Sequence, residues 1–568
     1  MKLPDAKSLY DRGNSQKREG DLDGAIESYE QAINIHPDYA EAYCNLANAQ
    51  KQKGEIDTAI ESYKQAINCD PSLFVAFYNL GNAFQLKNDL ENAALSFQKA
   101  LELKPDFSEA HINLGNIQQM RGEETSAIKS FESALKIKPD SIQANFNLGN
   151  LLLQQGNNAS AMECFNNTLE LKPDFVEALV AIGLALVNVG KLDEAIETYE
   201  KAIRLQPDHA EAHYNLGLTF EKNKAPEKAT KSYEHAIAVN PNFAEAYNNL
   251  GNLMHYAGHF SAAMENFQNA LKIKPHFVEA LSNMGNALQE EGHSESSTDC
   301  YMKALSIEPN YAEAAWLLSG TAKTIPDAKK WLSRCLDSNE NHLKAKLTLA
   351  ALSWYEGDCS ALESIKQSKL KTHPFTRSIE WIESLPKLPD LYFSRWQFFD
   401  EIILQTDVSR PFYEFGVWKG RSFKYLAKFI KRGFGFDTFQ GLPENWHDEK
   451  IGSYSAHGKI PQVDGGEFIM GEFKDTLPKF FSKTRPTASL INYDADLYSA
   501  TICALEFSKS VIDSDTILIF DEFLINAHWE LDEIRALDHF CNANNLSYKV
   551  LAISLFTKQV ALKLIGLN

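Results

Sequence analysis

The sequence predicts two architectures in one chain: an all-α helical solenoid, then an α/β domain on a mainly parallel sheet. Three observations predict it. Prolines recur at a step of 34 residues from Pro37 to Pro309, the mark of a stacked repeat. From residue 409 strand-like runs alternate with helical ones, the rhythm of βα units. At the head of that alternation, Phe412 to Asp437 reads as strand, glycine turn, amphipathic helix and second strand, the arrangement that holds a nucleotide-like ligand at the carboxyl edge of a parallel sheet.

The repeat register never slips. Pro37, Pro71, Pro105, Pro139, Pro173, Pro207, Pro241, Pro275 and Pro309 are each preceded by a small residue twelve positions earlier, from Ala25 and Ala59 to Ala263 and finally Ser297. An aromatic follows four residues after the small one, from Tyr29 and Tyr63 to Tyr301. A glycine recurs in each first helix from Gly13 to Gly285, with Ala47 in its place once. The small residue admits a close helix partner, the aromatic fills the gap and the proline ends the unit. This resembles the tetratricopeptide repeat, two antiparallel helices per unit, and nine units cover residues 6–311. Such an array is expected to coil into a right-handed solenoid with a concave face.

Asparagine occupies one position of that face in seven units: Asn45, Asn79, Asn113, Asn147, Asn215, Asn249 and Asn283. Ala181 and Asp11 interrupt the series. Asparagine is a mediocre helix former, so its repetition needs another reason. One reason is a ladder of amides gripping the backbone of an extended peptide, which resembles the superhelix of eukaryotic protein O-linked N-acetylglucosamine transferase. The other is that these amides bridge neighbouring repeats. Glycosyl transfer itself is not implied, because the C-terminal half lacks that enzyme's domains.

Residues 312–408 read as degenerate helix pairs that cap the array, with helices at Ala328 to Leu336, Leu343 to Tyr355 and Ala361 to Lys369. The proline-punctuated, aromatic stretch Leu385 to Phe399 reads as a helix packed before the sheet. No Gly/Ser tether separates the halves, so they are expected to pack together.

A net charge of −20 over 568 residues argues against a general nucleic-acid or anionic-membrane binder. Eight scattered cysteines with no CxxC pair point to small core residues in a reducing compartment. The N-terminus lacks an apolar signal core, and no run reaches membrane-spanning length. A cytoplasmic protein is expected.

In the C-terminal domain, residues 409–568, parallel strands are expected at 412–415, 433–436, 468–470, 488–493 and 516–520, with an antiparallel pair at 547–553 and 559–565. The first strand ends in Glu414-x-Gly416-x-x-x-Gly420. A carboxylate there would repel a pyrophosphate but suits a ligand with an ammonium group. The pattern resembles motif I of class I S-adenosylmethionine-dependent methyltransferases, whose domain is Rossmann-like, with Asp437 as the acid for the ribose. Phe436 to Glu444, Gly471 to Pro478, Asn492 to Tyr498 and Phe520 to Phe523 follow in order. Together these motifs are similar to the macrocin O-methyltransferase (TylF/MycF-type) family, whose studied members methylate sugar hydroxyls. Agreement fades from His447 to Gly466, where a substrate lid is expected.

The resemblance implies that Glu414, Gly416, Gly420 and Ser422 hold the methionine part of S-adenosylmethionine and Asp437 the ribose. Asp494, Asp521 and Glu522 should converge at the ends of the fourth and fifth strands, where three oxygen donors suit Mg2+. A metal there would lower the pKa of an acceptor hydroxyl held in line with the methyl group. The family usually has aspartate where Glu522 stands. Asp496 reads as a helix cap. His528 is the nearest candidate base, beside a catalytic Asp494. The expected activity is O-methyl transfer to a sugar or glycan hydroxyl, with the array recruiting a peptide or protein; the alternative is an interaction scaffold with a cofactor-binding but non-catalytic domain.

Overall fold

The structure is a computed structural model, and it describes residues 5–567 apart from 446, 448, 449 and 496. The chain divides into two compact units, Met1–Pro241 and Asn242–Asn568. The division falls inside the repeat array.

The first unit is a succession of helix pairs, from Ala6–Glu19 with Leu22–Ile35 to Ala210–Lys222 with Pro226–Val239. Local chemistry sets the ends. Asp21, Asp89 and Asn157 cap helices through their side-chain oxygens, while Gly20 and Gly54 close first helices in the left-handed conformation. The repeated small residues and aromatics are the core: Ala127 and Phe131 are both fully buried. A Cβ at Gly115 would lie 2.7 Å from the Phe131 ring. Gly115→Ala is therefore expected to lower the array's unfolding midpoint. Overpacking costs about 1–3 kcal/mol, offset by about 1 kcal/mol of helix propensity. Thermal denaturation followed by helical circular dichroism reads the difference, and an unchanged or raised midpoint would refute it.

The second unit opens with two more pairs, Ala244–Tyr256 with Phe260–Ile273 and Val278–Glu290 with Ser294–Ile307. Helices Ala312–Ser319, Ile325–Ser338, Leu343–Tyr355 and Ser360–Lys366 follow, the last ending three residues before the expected Lys369, and then Pro374–Glu383.

The sheet has eight strands: β1 (Asp390–Tyr392), β2 (Phe412–Phe415), β3 (Gly433–Asp437), β4 (Gly466–Met470), β5 (Leu490–Tyr493), β6 (Ile517–Phe520), β7 (Ser547–Ser554) and β8 (Val560–Ile565). Their order is β1-β7-β8-β6-β5-β2-β3-β4. Strands β4, β3, β2, β5 and β6 run parallel, and β8 pairs antiparallel with both β6 and β7. The seven expected strands are present within two residues. The eighth, β1, was expected as helix. The stretch Leu385 to Phe399 instead gives this short strand, parallel to β7, before the helix Arg395–Ile403. The helix expected over 422–431 stops at Leu426. Three-residue turns then take Phe429 and Ile430 back toward β3, with Ile430 fully buried.

Candidate functional site

The sheet's strand order reverses between β2 and β5, and both neighbours of that seam run the same way. Loops leaving the carboxyl ends there must diverge, which opens a crevice. At the last row of the strands four aromatic rings stack in the core. Phe436, Phe415, Tyr493 and Phe520 sit in register on β3, β2, β5 and β6, with centroids 4.9, 5.4 and 4.9 Å apart and planes within 16°. Each such pair contributes about 0.5–1.5 kcal/mol beyond its buried area and fixes the strand ends. The crevice holds a cavity of 810 Å³, within the range of small-molecule sites.

Every strand end of the parallel core contributes to its wall: Gly416 and Trp418 after β2, Asp437 to Glu444 in part after β3, Glu472 to Lys474 after β4, Asp494 after β5 and Asp521 with Glu522 after β6. Gly416 is forced by the seam, since a Cβ would lie 1.8 Å from the Asp494 carbonyl oxygen. Asp437 clamps the glycine loop: its Oδ2 accepts from the Val417 and Trp418 amides at 2.8 and 2.7 Å, and its Oδ1 from Phe439 at 2.5 Å. Burial raises its pKa, against the pull of these amides.

Of the other residues expected at a cofactor, Gly420 and Ser422 lie outside the cavity wall, at the start of the helix Arg421–Leu426. Glu414 lies beneath it. Only 1% exposed, it faces Asn492 across the β2–β5 seam, and Asn492 is fully buried. Among the described residues, Glu414 Oε2 and both polar atoms of the Asn492 side chain have no hydrogen-bond partner. Burial, then the negative charges of Asp521 and Asp437, push Glu414 well above the usual carboxylate range, with Arg395 acting against them.

The expected magnesium set is not assembled. Asp494, Asp521 and Glu522 do line one cavity, but the fold claims two of them. Asp521 Oδ2 accepts from Arg395 at 2.9 Å and its Oδ1 from Gln559 at 2.6 Å. Glu522 Oε2 pairs with Lys558 Nζ at 2.6 Å. Among the described residues no group of three or more His, Cys, Asp and Glu side chains is placed to hold a metal ion. Asp496 lies outside the described residues.

His528 reaches the cavity, as expected of a base, but with a companion. Its ring stacks on His447 at 4.0 Å between centroids, and His447 Nε2 meets Asp532 Oδ2 at 2.9 Å. An ionised Asp532 carboxylate would accept from Nε2 of this ring and orient it. The segment expected to be a lid, 447–466, supplies His447 and Tyr454 to the wall.

Repeat residues of the second unit buttress the glycine loop. Arg421 pairs with Glu290 and lies over the Phe260 ring at 4.4 Å. Trp396 Nε1 donates to the Gln289 carbonyl at 2.6 Å, and Lys419 Nζ to that of Ala257. Burial raises Glu290, but Arg421 and Arg395 pull it net below its usual value.

The asparagines are half-buried. In the first unit, Asn45 donates to Tyr10 and Asn14, Asn113 to Tyr78 and Asn82, and Asn147 to Asn116, at 2.7–3.2 Å. Among the described residues Asn79 makes a long contact with the Cys44 sulfur at 3.9 Å. In the second unit, Asn283 donates to Asn248 at 2.9 Å. These are repeat-to-repeat bridges, the second of the two readings open from the sequence. They leave Oδ1 of Asn113 and Asn147 without a partner among the described residues. No such bridge is seen for Asn215 among the described residues, and Asn249 accepts from Asn248 at 3.2 Å.

Sequence reasoning missed Arg395, Arg421, His447, Asp532 and Lys558. Arg395, Arg421, His447 and Lys558 sit in stretches read as helix, lid or turn, and Asp532 in a stretch given no reading.

Comparison with known families matches TPR repeat over residues 13–54, 51–88 and 183–224, and tetratricopeptide repeat over 74–107, 210–243, 120–182, 232–265 and 278–311. Similar solved structures include YrrB, described as a TPR protein with an unusual peptide-binding site. It is 28% identical and covers 33% of this chain and 96% of its own, at a TM-score of 0.31. MamA is 27% identical over 30% of this chain and 93% of its own, at 0.29. Comparison with curated protein sequences found no match. Among the described residues no helix is long and apolar enough to cross a membrane. Between residues 13 and 311 the chain carries an array of tetratricopeptide repeats, an architecture suited to binding other proteins.

Proposed function

We propose that the chain is an S-adenosylmethionine-dependent O-methyltransferase acting on a sugar or glycan hydroxyl, and that its repeat array recruits a peptide or protein partner. One observation carries the reading. The motifs on which the family resemblance rests are spread over more than 100 residues, yet all contribute to the wall of one cavity at the strand-order reversal. The parallel core with its antiparallel β8 supports it as the layout of a class I methyltransferase sheet.

The residues fit this cofactor. Glu414 lies one layer below Gly416 with an unpartnered oxygen, so it would hold an ammonium group electrostatically. Asp437 has spent three of its roughly four acceptor sites on backbone amides and keeps capacity for a ribose hydroxyl. The bound cofactor supplies an electrophilic methyl group for in-line displacement. The protein must align the acceptor oxygen and take its proton. The stacked pair His528 and His447, the latter oriented by Asp532, supplies the proton acceptor on the wall, and Asp494 lines the same crevice as a partner for the hydroxyl. In the array, Asn113 and Asn147, whose amides bridge repeats, keep Oδ1 as an acceptor for a peptide backbone.

Calorimetric titration of the full chain with S-adenosylhomocysteine tests the reading. Micromolar binding at one site is the expected result. Absence of binding would remove the enzymatic reading and leave the tetratricopeptide array as the functional part, with the α/β region as its structural cap.

A further inference from the structure

The acidic crevice carries its own cations. Asp521 and Glu522 are adjacent at the end of β6, and the adjacent Lys558 and Gln559 in the turn from β7 to β8 meet them. Lys558 holds φ at +65°, a left-handed conformation uncommon for a side chain with a Cβ, and from it the ammonium reaches Glu522. From the opposite side Arg395, the first residue of its helix, reaches Asp521, whose side chain is only 6% exposed. Both Asp521 oxygens are occupied, one by a cation and one by an amide. The amide is itself held, since Gln559 Oε1 accepts from the Thr557 hydroxyl, and the Thr557 backbone amide donates to Ser554 Oγ.

We infer that Arg395 and Lys558 stand in place of a divalent metal, so that this cavity takes none and presents a fixed, protein-borne positive charge to its ligand's oxygen. A magnesium or manganese ion needs several free oxygen donors in near-octahedral array. Here it would have to break two ion pairs and sit beside two fixed positive charges. Lys558, 37% exposed and on the cavity wall, is the cation that a ligand oxygen meets. This holds whatever reaction the cavity hosts.

Mn2+ binding followed by the paramagnetic resonance signal of the free ion tests it on the full chain. The wild type is expected to leave an equimolar Mn2+ signal undiminished. The Arg395→Met/Lys558→Met variant is expected to remove up to one equivalent. Loss of one equivalent by the wild type, abolished by Asp521→Asn, would overturn the inference. So would a double variant that folds by circular dichroism and still binds no Mn2+. Removing Arg395 leaves the Asp521 carboxylate buried without its cation, which is strongly destabilising. Should that unfold the double variant, the wild-type titration with its Asp521→Asn control carries the test: an undiminished signal supports the inference, and one equivalent lost and abolished by Asp521→Asn overturns it.

Discussion

Asp437→Ala is expected to abolish S-adenosylhomocysteine binding and to lower the melting temperature of the α/β region. The two effects share one cause. The Asp437 carboxylate accepts the amides of Val417, Trp418 and Phe439 at 2.8, 2.7 and 2.5 Å, so it holds the loop after β2 and the loop after β3 in one arrangement. Alanine removes every acceptor at once. Each amide left unpaired away from water costs about 1–3 kcal/mol, less where the loosened loop reaches solvent. Asp437→Asn separates structure from binding. Its single carbonyl oxygen can still take the Val417 and Trp418 amides, while its NH2 opposes Phe439, so most of the stability should return. A neutral amide cannot match a carboxylate accepting ribose hydroxyls, so binding should stay weak. Calorimetry and circular dichroism on the three proteins read both effects. An alanine variant that binds with unchanged affinity would show that Asp437 is only a loop clamp and would remove it from the cofactor site.

The parts legible in the sequence are those whose partners lie at fixed, short separations. Gly115 and Phe131 meet within one repeat, and the register that places them recurs from Gly13 to Gly285. Strand β2 could be read because four buried residues precede a glycine that the seam requires. Strand β1 could not, because three residues at a sheet edge carry no period. The convergence of Asp494, Asp521 and Glu522 on one cavity followed from their places at strand ends. What meets them did not. Arg395 arrives from 126 residues away and Lys558 from a turn, and no local pattern announces a long-range counter-ion. Carboxylates alone read as a metal site; with their cations they are ion pairs. The asparagine series had the same ambiguity: the spacing fixed a shared face, and contacts such as Asn113–Asn82 and Asn147–Asn116 show where the amides go.

Glu414→Gln should move stability and binding in opposite directions. Glu414 is buried opposite Asn492, with one oxygen unpartnered. Burial, then Asp521 and Asp437, raise its pKa well above the usual carboxylate value, while Arg395 works against them. Above that usual value the unfolded chain has released this proton and the folded chain still holds it. Stability therefore falls as pH climbs from the ordinary carboxylate range to the folded pKa. Glutamine has no proton to lose. The variant should match the wild type at acidic pH and become the more stable protein as pH rises through that interval. Binding follows the other sign. A ligand ammonium above Gly416 favours the charged form of Glu414, so complex formation should release a proton, and the heat should depend on the ionisation enthalpy of the buffer. Glu414→Gln offers the ammonium no counter-charge. Hydrogen bonds to charged groups contribute about 1.5–3 kcal/mol, so affinity for S-adenosylhomocysteine should drop by about 10–100-fold, with no proton release. Equal affinity and equal proton release in both proteins would make Glu414 a purely structural acid and would place the ligand's amino group elsewhere in the cavity.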